Sequence, residues 1–240
     1  MTNYASRKAE KSGILAPLAG TLWLVVLTAI FTIPIGVSTA LYLEEFASDN
    51  LFNKMIKINV SNLAGVPSII YGLLGLAFFT YTLALGKSLL AGALTMTLLV
   101  LPIVIIASQE AIRTIQPSLK DAAYALGATK WEVSKRVILP HSIGGIMSGI
   151  ILAMSRAIGE TAPILIISSL VFITMVPSGP LDRFTILPLQ IYTWAAFPQD
   201  DFRAIASTGI IVLLFILVVM NSIAVYIRFK TPVSYTHLRA

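Results

Sequence analysis

Five apolar runs, each about 20 residues or more, limit what this chain can become: they lie at roughly 15–43, 63–85, 89–108, 143–175 and 205–227. About 20 helical residues cover the ~30 Å of hydrocarbon in a bilayer, and a backbone in lipid must close its own hydrogen bonds. The predicted fold class is therefore all-α, a polytopic transmembrane helical bundle. With 57% hydrophobic and 12% charged residues and a mean hydropathy of +0.87, a soluble domain of ordinary composition is excluded.

The run at 143–175 is too long for one straight span. Divided at Arg156 and Glu160 it is too short for two, so one span with a kink near Pro163 and an extension is expected. Gly145, Gly149 and Ala153 recur every four residues, a stripe of small side chains against which another helix can pack closely. Gly65, Pro67, Gly72 and Gly75 in the second run are read as packing residues. Residues 44–60 read as a polar connection, and 184–197 as an interfacial segment with Tyr192 and Trp194 at headgroup level.

In a soluble protein a net charge of +6 would suggest nucleic acid; in a membrane protein, basic residues mainly set topology. Five crossings put the two ends on opposite sides. The side carrying the long polar stretch 109–141 then holds ten Lys and Arg against six, which assigns that stretch to the cytoplasm and the amino terminus to the outside. The expected organisation is a polar extracytoplasmic segment at 1–13 and a transmembrane domain at 14–230. Residues 231–240 would be a non-native tail, since VSYTHLRA reads like spurious translation. An upstream span is expected to be missing, because a polar outward amino terminus lacking the pattern of a targeting segment is unusual. The chain has no cysteine and only two histidines, His141 and His237, so no metal site or cofactor is expected.

The stretch 109–141, QEAIRTIQPSLKDAAYALGATKWEVSKRVILPH, carries two helix starts. After Pro117, Ser118 and Asp121 are placed to cap a first short helix that Gly127 stops. Leu119, Ala122, Ala123 and Leu126 line one of its faces. Thr129 and Glu132 form a capping box for a second helix, expected to run until Pro140 breaks it. A helix-turn-helix on DNA has similar punctuation, but apolar spans on both sides argue against nucleic acid, and an amphipathic loop lying on the membrane surface is the plainer alternative.

Asp121-Ala122-Ala123, then Gly127, then Val137-Ile138-Leu139-Pro140 resembles the EAA loop of ABC importer permeases, with Asp for the usual Glu and Val for the usual Ile. The resemblance implies that this loop seats on a cytoplasmic ATPase subunit through Asp121, Ala122, Ala123, Gly127, Leu139 and Pro140.

A second polar site lies inside the fourth run, at Ser155-Arg156-Ala157-Ile158-Gly159-Glu160-Thr161-Ala162-Pro163. Arg156 and Glu160 are four apart, the spacing at which a guanidinium and a carboxylate meet on a helix. An arginine near a span centre costs about 2.5–3.5 kcal/mol, so the pair should face protein or a wet cavity. It serves either a substrate path or a structural ion pair.

RAIGETAP after an EAA loop, with VPSIIYG in an earlier span and LEE after the first, resembles the A-type permease subunits of Pst phosphate importers over roughly 14–230. That likeness implies a type I ABC importer permease in a prokaryotic inner membrane, without a catalytic site of its own. Its implied partners are a C-type second permease, two ATP-binding subunits, an extracytoplasmic phosphate-binding protein, inorganic phosphate and membrane lipid. Arg156, Glu160, Ser155 and Thr161 would line the substrate path. Importers of other oxyanions, sulfate or molybdate, share the expected chemistry.

Three rival readings draw on weaker signals. Gly86-Lys87-Ser88 ends like a phosphate-binding P-loop, but Tyr81 stands where its first glycine belongs. His141 and Ser148 are seven apart and could form an intramembrane serine hydrolase dyad, without nucleophile-elbow spacing or a third partner. A secondary transporter would be expected to carry an internal repeat, and none is apparent.

Overall fold

A hydrocarbon-embedded chain satisfies its backbone most directly as helix, and the computed structural model, which describes residues 12–168, 173 and 175–230, is helical in every regular element. Helix α1, Leu15–Leu41, carries Pro34 in its interior and widens into a π-helical turn at Tyr42–Phe46. Then follow α2, Leu51–Ala64, and α3, Ser68–Gly75, which widens at Leu76–Thr82. Next come α4, Leu89–Arg113, α5, Pro117–Ala125, and the single turn α6, Lys130–Val133. The last four are α7, Leu139–Gly159, α8, Ala162–Ser168, α9, Leu187–Ala195, and α10, Asp200–Lys230. Among the described residues four stretches are long and apolar enough to cross a membrane: Leu15–Phe46, Leu89–Arg113, Lys130–Gly159 and Asp200–Ile223. A fifth crossing requires α2 and the α3 segment to count together as one broken span.

Four expectations change. The supposed connection before the second span is mostly helix, because Asn50 accepts a hydrogen bond from the Asn53 backbone N–H at 2.9 Å and so starts α2. The following segment begins at Ser68, just after Pro67, not at Leu63. In the fourth run the break comes at Glu160–Thr161, and Pro163 sits in the first turn of α8, where its missing N–H breaks no helical bond. Trp194 is completely buried among Leu187, Ile191, Phe202 and Ala206, so it is a core residue, whereas Tyr192 is exposed. The polar segment 1–13, apart from its last two residues, the tail 231–240, and 169–172 and 174 of the expected extension lie outside the described residues.

The chain divides into two compact units, each described by itself. The first takes its described residues from Met1–Thr32, Gly65–Val100 and Met154–Met220. Within it α3 packs against α8, and Phe79, Ala91 and Ile167 form one apolar core. The turn Ser178–Asp182 crowns α4: the carbonyls of Asp182 and Pro180 accept from the Leu89 and Leu90 N–H groups at 2.9 and 2.7 Å. Ser88 Oγ accepts from the Ala91 N–H at 3.2 Å, which gives the Gly-Lys-Ser triplet a capping role.

The second unit takes Ile33–Ala64, Leu101–Ala153 and the described part of Asn221–Ala240. Gly145 and Gly149 of α7 lie against Ala111 and Ala107 of α4, and a Cβ on Gly145 would approach the Ala111 methyl to 2.6 Å. The small-residue stripe therefore has its partner helix within the chain.

Candidate functional site

The stretch 109–141 is shaped by its own neighbours in sequence. Helix α5 begins with Pro117 in its first turn and the extended Gln116 before it, without a side-chain cap, so Ser118 and Asp121 do not make the expected bonds. Pro117 explains this: its ring already presets the helical φ and removes one of the donors that needed a cap. At the other end Gly127 N–H donates to Tyr124 O at 2.9 Å and Ala128 N–H to Ala123 O at 3.2 Å. That bond pair is a Schellman closure, and Gly127 takes the φ of +84° it requires. The capping box is present: Thr129 Oγ1 accepts from the Glu132 N–H at 3.3 Å, and Glu132 Oε2 accepts from the Thr129 N–H at 2.9 Å. Pro140 does not end the second helix. A wide turn at Ser134–Ile138 precedes it and the chain continues as α7 to Gly159, a spacing that relieves the ring's clash with the preceding turn.

Of the predicted docking residues Asp121, Ala122, Gly127 and Pro140 are exposed, while Ala123 and Leu139 are half-buried. Beside them stand apolar side chains that the motif alone does not single out: Leu126 is 90% exposed and Trp131 61%. Leu126, Gly127 and Val133 line a shallow cleft of about 320 Å³ together with Glu132 and Arg136. On the inner side Val133 and Ile138 are fully buried with Ala40, Leu43, Ile105 and Ile112. The loop is thus anchored on one side and apolar but open on the other.

The glutamate pair after the first span, read in sequence only as the start of a polar connection and as part of the LEE likeness, is the loop's electrostatic footing. Glu44 accepts from Arg113 Nε and Nη2 at 3.0 and 2.9 Å, and from Gln109 Nε2 at 2.8 Å. Lys57 Nζ approaches the same carboxylate at 3.2 Å. Glu45 holds Lys120 of α5 at 2.6 Å.

In the other unit Arg156 occupies the last turn of α7, and Glu160 lies just beyond the helix end at Gly159. Their Nε–Oε2 separation is 3.9 Å, an ion contact too long for a hydrogen bond, and the Arg156 side chain stays about half exposed. Ser155 and Thr161 flank the pair and are half-buried. The two motifs VPSIIYG and RAIGETAP meet: a Cβ on Gly72 would approach Pro163 Cα to 2.8 Å, so only glycine lets α3 come this close. The proposed dyad does not form. His141 Nδ1 pairs with Val137 O at 2.6 Å, and Ser148 Oγ donates to Gly144 O at 2.8 Å.

Residues 32–231 match the family described as binding-protein-dependent transport system inner membrane component. The chain belongs to this family. It is an ABC importer permease, a multi-pass protein of the inner membrane. It is 34% identical over 221 residues to the phosphate transport system permease protein PstA 1 of Mycobacterium tuberculosis (strain CDC 1551 / Oshkosh), covering 90% of this chain and 71% of the relative. The phosphate transport system permease protein PstA of Yersinia pestis is 30% identical over 217 residues, covering 88% and 71%. Among solved structures, the inward-facing MetNI methionine ABC transporter superposes with a TM-score of 0.71 at 16% identity, covering 92% of this permease and 94% of that chain. The last likeness establishes the fold, that of a type I importer permease.

Proposed function

We propose that this permease is one of two membrane subunits of an ATP-driven inorganic phosphate importer. The observation that carries this reading is its likeness, over about nine-tenths of its length, to relatives named as phosphate transport permeases. An extracytoplasmic binding protein delivers phosphate, and this chain and a second, C-type permease form the path. The stretch 109–141 faces the cytoplasm and docks one of two ATP-binding subunits, which hydrolyse the ATP.

Arg156 meets the anion on its way. Its guanidinium is a planar fork of donors suited to an oxyanion, and its half-exposed side chain leaves room for one. Glu160, 3.9 Å away, partly offsets that charge so that the anion is not held too tightly to leave. Hydroxyls of Ser155 and Thr161 flank the same place. Phosphate near neutral pH still carries a proton and can donate a hydrogen bond to Glu160, whereas fully ionised sulfate meets only repulsion.

The test is uptake of labelled phosphate by cells that lack their own A-type permease and are supplied with this chain and its partner subunits. Uptake should be restored and should resist excess sulfate. Restored sulfate uptake without phosphate uptake would overturn the substrate assignment.

A further inference from the structure

Two consecutive glutamates sit in the widened turn that ends the first span, and they hold different parts of the second unit. Glu44 collects Gln109 and Arg113 at the end of α4 and Lys57 of α2. Glu45 reaches Lys120, in the middle of α5. Helix α5 itself has no buried residue, and of its side chains Ala123 packs, partly buried, against the apolar core beneath. The Glu45–Lys120 contact is, among the described residues, the one ion pair that α5 makes. It is short, 2.6 Å, and sheltered, with 9% of the Glu45 side chain and 24% of the Lys120 side chain exposed. A sheltered pair of this kind resists opening, because separation leaves both charges poorly solvated. Surface pairs in water slip easily; this one is less open to water.

We propose that Glu45 and Lys120 are positioning residues for transport: their ion pair makes the docking helix and the end of the first span move together, so that motion of the ATPase reaches the spans through it. The inference rests on the reading of 109–141 as the ATPase docking loop. Thrust carried by Ala123 alone is the competing account, and it gives a different result on removing the charge.

The experiment uses the whole transporter in proteoliposomes at matched abundance, with inorganic phosphate as the probe. Uptake and ATP hydrolysis are measured on the same vesicles. Glu45→Gln should keep the ATPase subunit bound and hydrolysing, yet lower phosphate moved per ATP by at least about fivefold, the low end of energetic coupling between sites. Lys120→Arg, which keeps the charge, should stay near the parent ratio. An unchanged ratio in Glu45→Gln overturns the proposal. If that variant does not accumulate, cysteines replace both residues in this otherwise cysteine-free chain and a short cleavable cross-linker joins them. The ratio should then fall on cleavage, and a ratio indifferent to the link overturns the proposal equally. Leu126→Asp separates the underlying reading. Loss of the bound ATPase supports the docking assignment, whereas retained ATPase with normal uptake removes that assignment and this inference with it.

Discussion

The loop 109–141 and the segment Ser155–Pro163 are both polar interruptions in an apolar chain, yet they are held by opposite means. The loop takes its shape from contacts within a few residues: the closure from Gly127 to Tyr124 and from Ala128 to Ala123, and the reciprocal bonds of Thr129 and Glu132. In the intramembrane segment the local pair is loose, Arg156 and Glu160 standing 3.9 Å apart because the helix ends between them. Its shape comes from far along the chain, where Gly72 receives Pro163. Local geometry thus builds the polar loop, and tertiary packing builds the intramembrane segment.

The largest expected effect falls on the loose pair. A structural bridge should be rebuilt in part by combining Arg156→Glu with Glu160→Arg, since the attraction is recreated nearby. A substrate contact should not, because a carboxylate then stands where phosphate passes. Arg156→Gln should leave an assembled, ATP-hydrolysing complex that moves little phosphate. Uptake of labelled phosphate at matched complex abundance checks this. Near-normal uptake in either variant would return the pair to a packing role.

Two glycines then set the two regions against each other. A valine at Gly72 meets backbone at Pro163, which cannot swing away, so overpacking of about 1–3 kcal/mol is expected and should appear as a lower unfolding temperature of the purified complex. A side chain at Gly127 meets nothing within 4 Å. There the strain is one of backbone alone, the φ of +84° costing an L-residue about 1–2 kcal/mol. Gly127→Val should reach the membrane and lose less thermal stability than Gly72→Val, because the open surroundings let the loop shift and relieve part of the strain, while uptake and phosphate-stimulated hydrolysis fall. Gly127→Asn should recover a good part of both, as asparagine tolerates the left-handed region. Matching stability losses in Gly72→Val and Gly127→Val would erase the distinction.

The same division explains what was legible in the sequence. The capping box and the glycine stop read correctly because each depends on residues no more than five apart. Four of the five apolar runs read correctly as spans because hydrocarbon thickness sets their length, the second counting only together with α2 as one broken span, and the family likeness of the EAA loop and RAIGETAP holds. The break at Glu160–Thr161 was placed too late, since proline marks a helix start as readily as a kink. The buried state of Trp194 was missed because an aromatic near a span end fits both a core and an interface. No local rule could pair Glu44 with Arg113, or Glu45 with Lys120, across more than sixty intervening residues. Two glutamates at the end of a span look like a solvated stop until the partner helices are in place.

One turn joins the two kinds of determinant, and the smallest prediction is made there. Asp182 Oδ2 accepts from the Ser178 hydroxyl and N–H, both at 2.8 Å, and from the Gly179 N–H at 2.9 Å. This local turn directs the Pro180 and Asp182 carbonyls onto the first amides of α4, far away in sequence. The Ser178 hydroxyl bond, followed by the two backbone donors, favours the ionised carboxylate and holds Asp182 below the usual carboxylate range. A group whose pKa is lowered on folding contributes stability above its unfolded value, about 3.9, and loses it as pH falls through the lower folded one. Between pH 7 and 5 the turn should therefore not change, and in stronger acid it should loosen. Hydrogen exchange at Leu89 and Leu90, corrected for its intrinsic acid dependence, reads this directly. Both amides should lose protection only below about pH 4, and Asp182→Asn, which cannot ionise, should flatten that profile. An acid response as steep in Asp182→Asn as in the parent would assign it to another group and leave the turn a purely local motif.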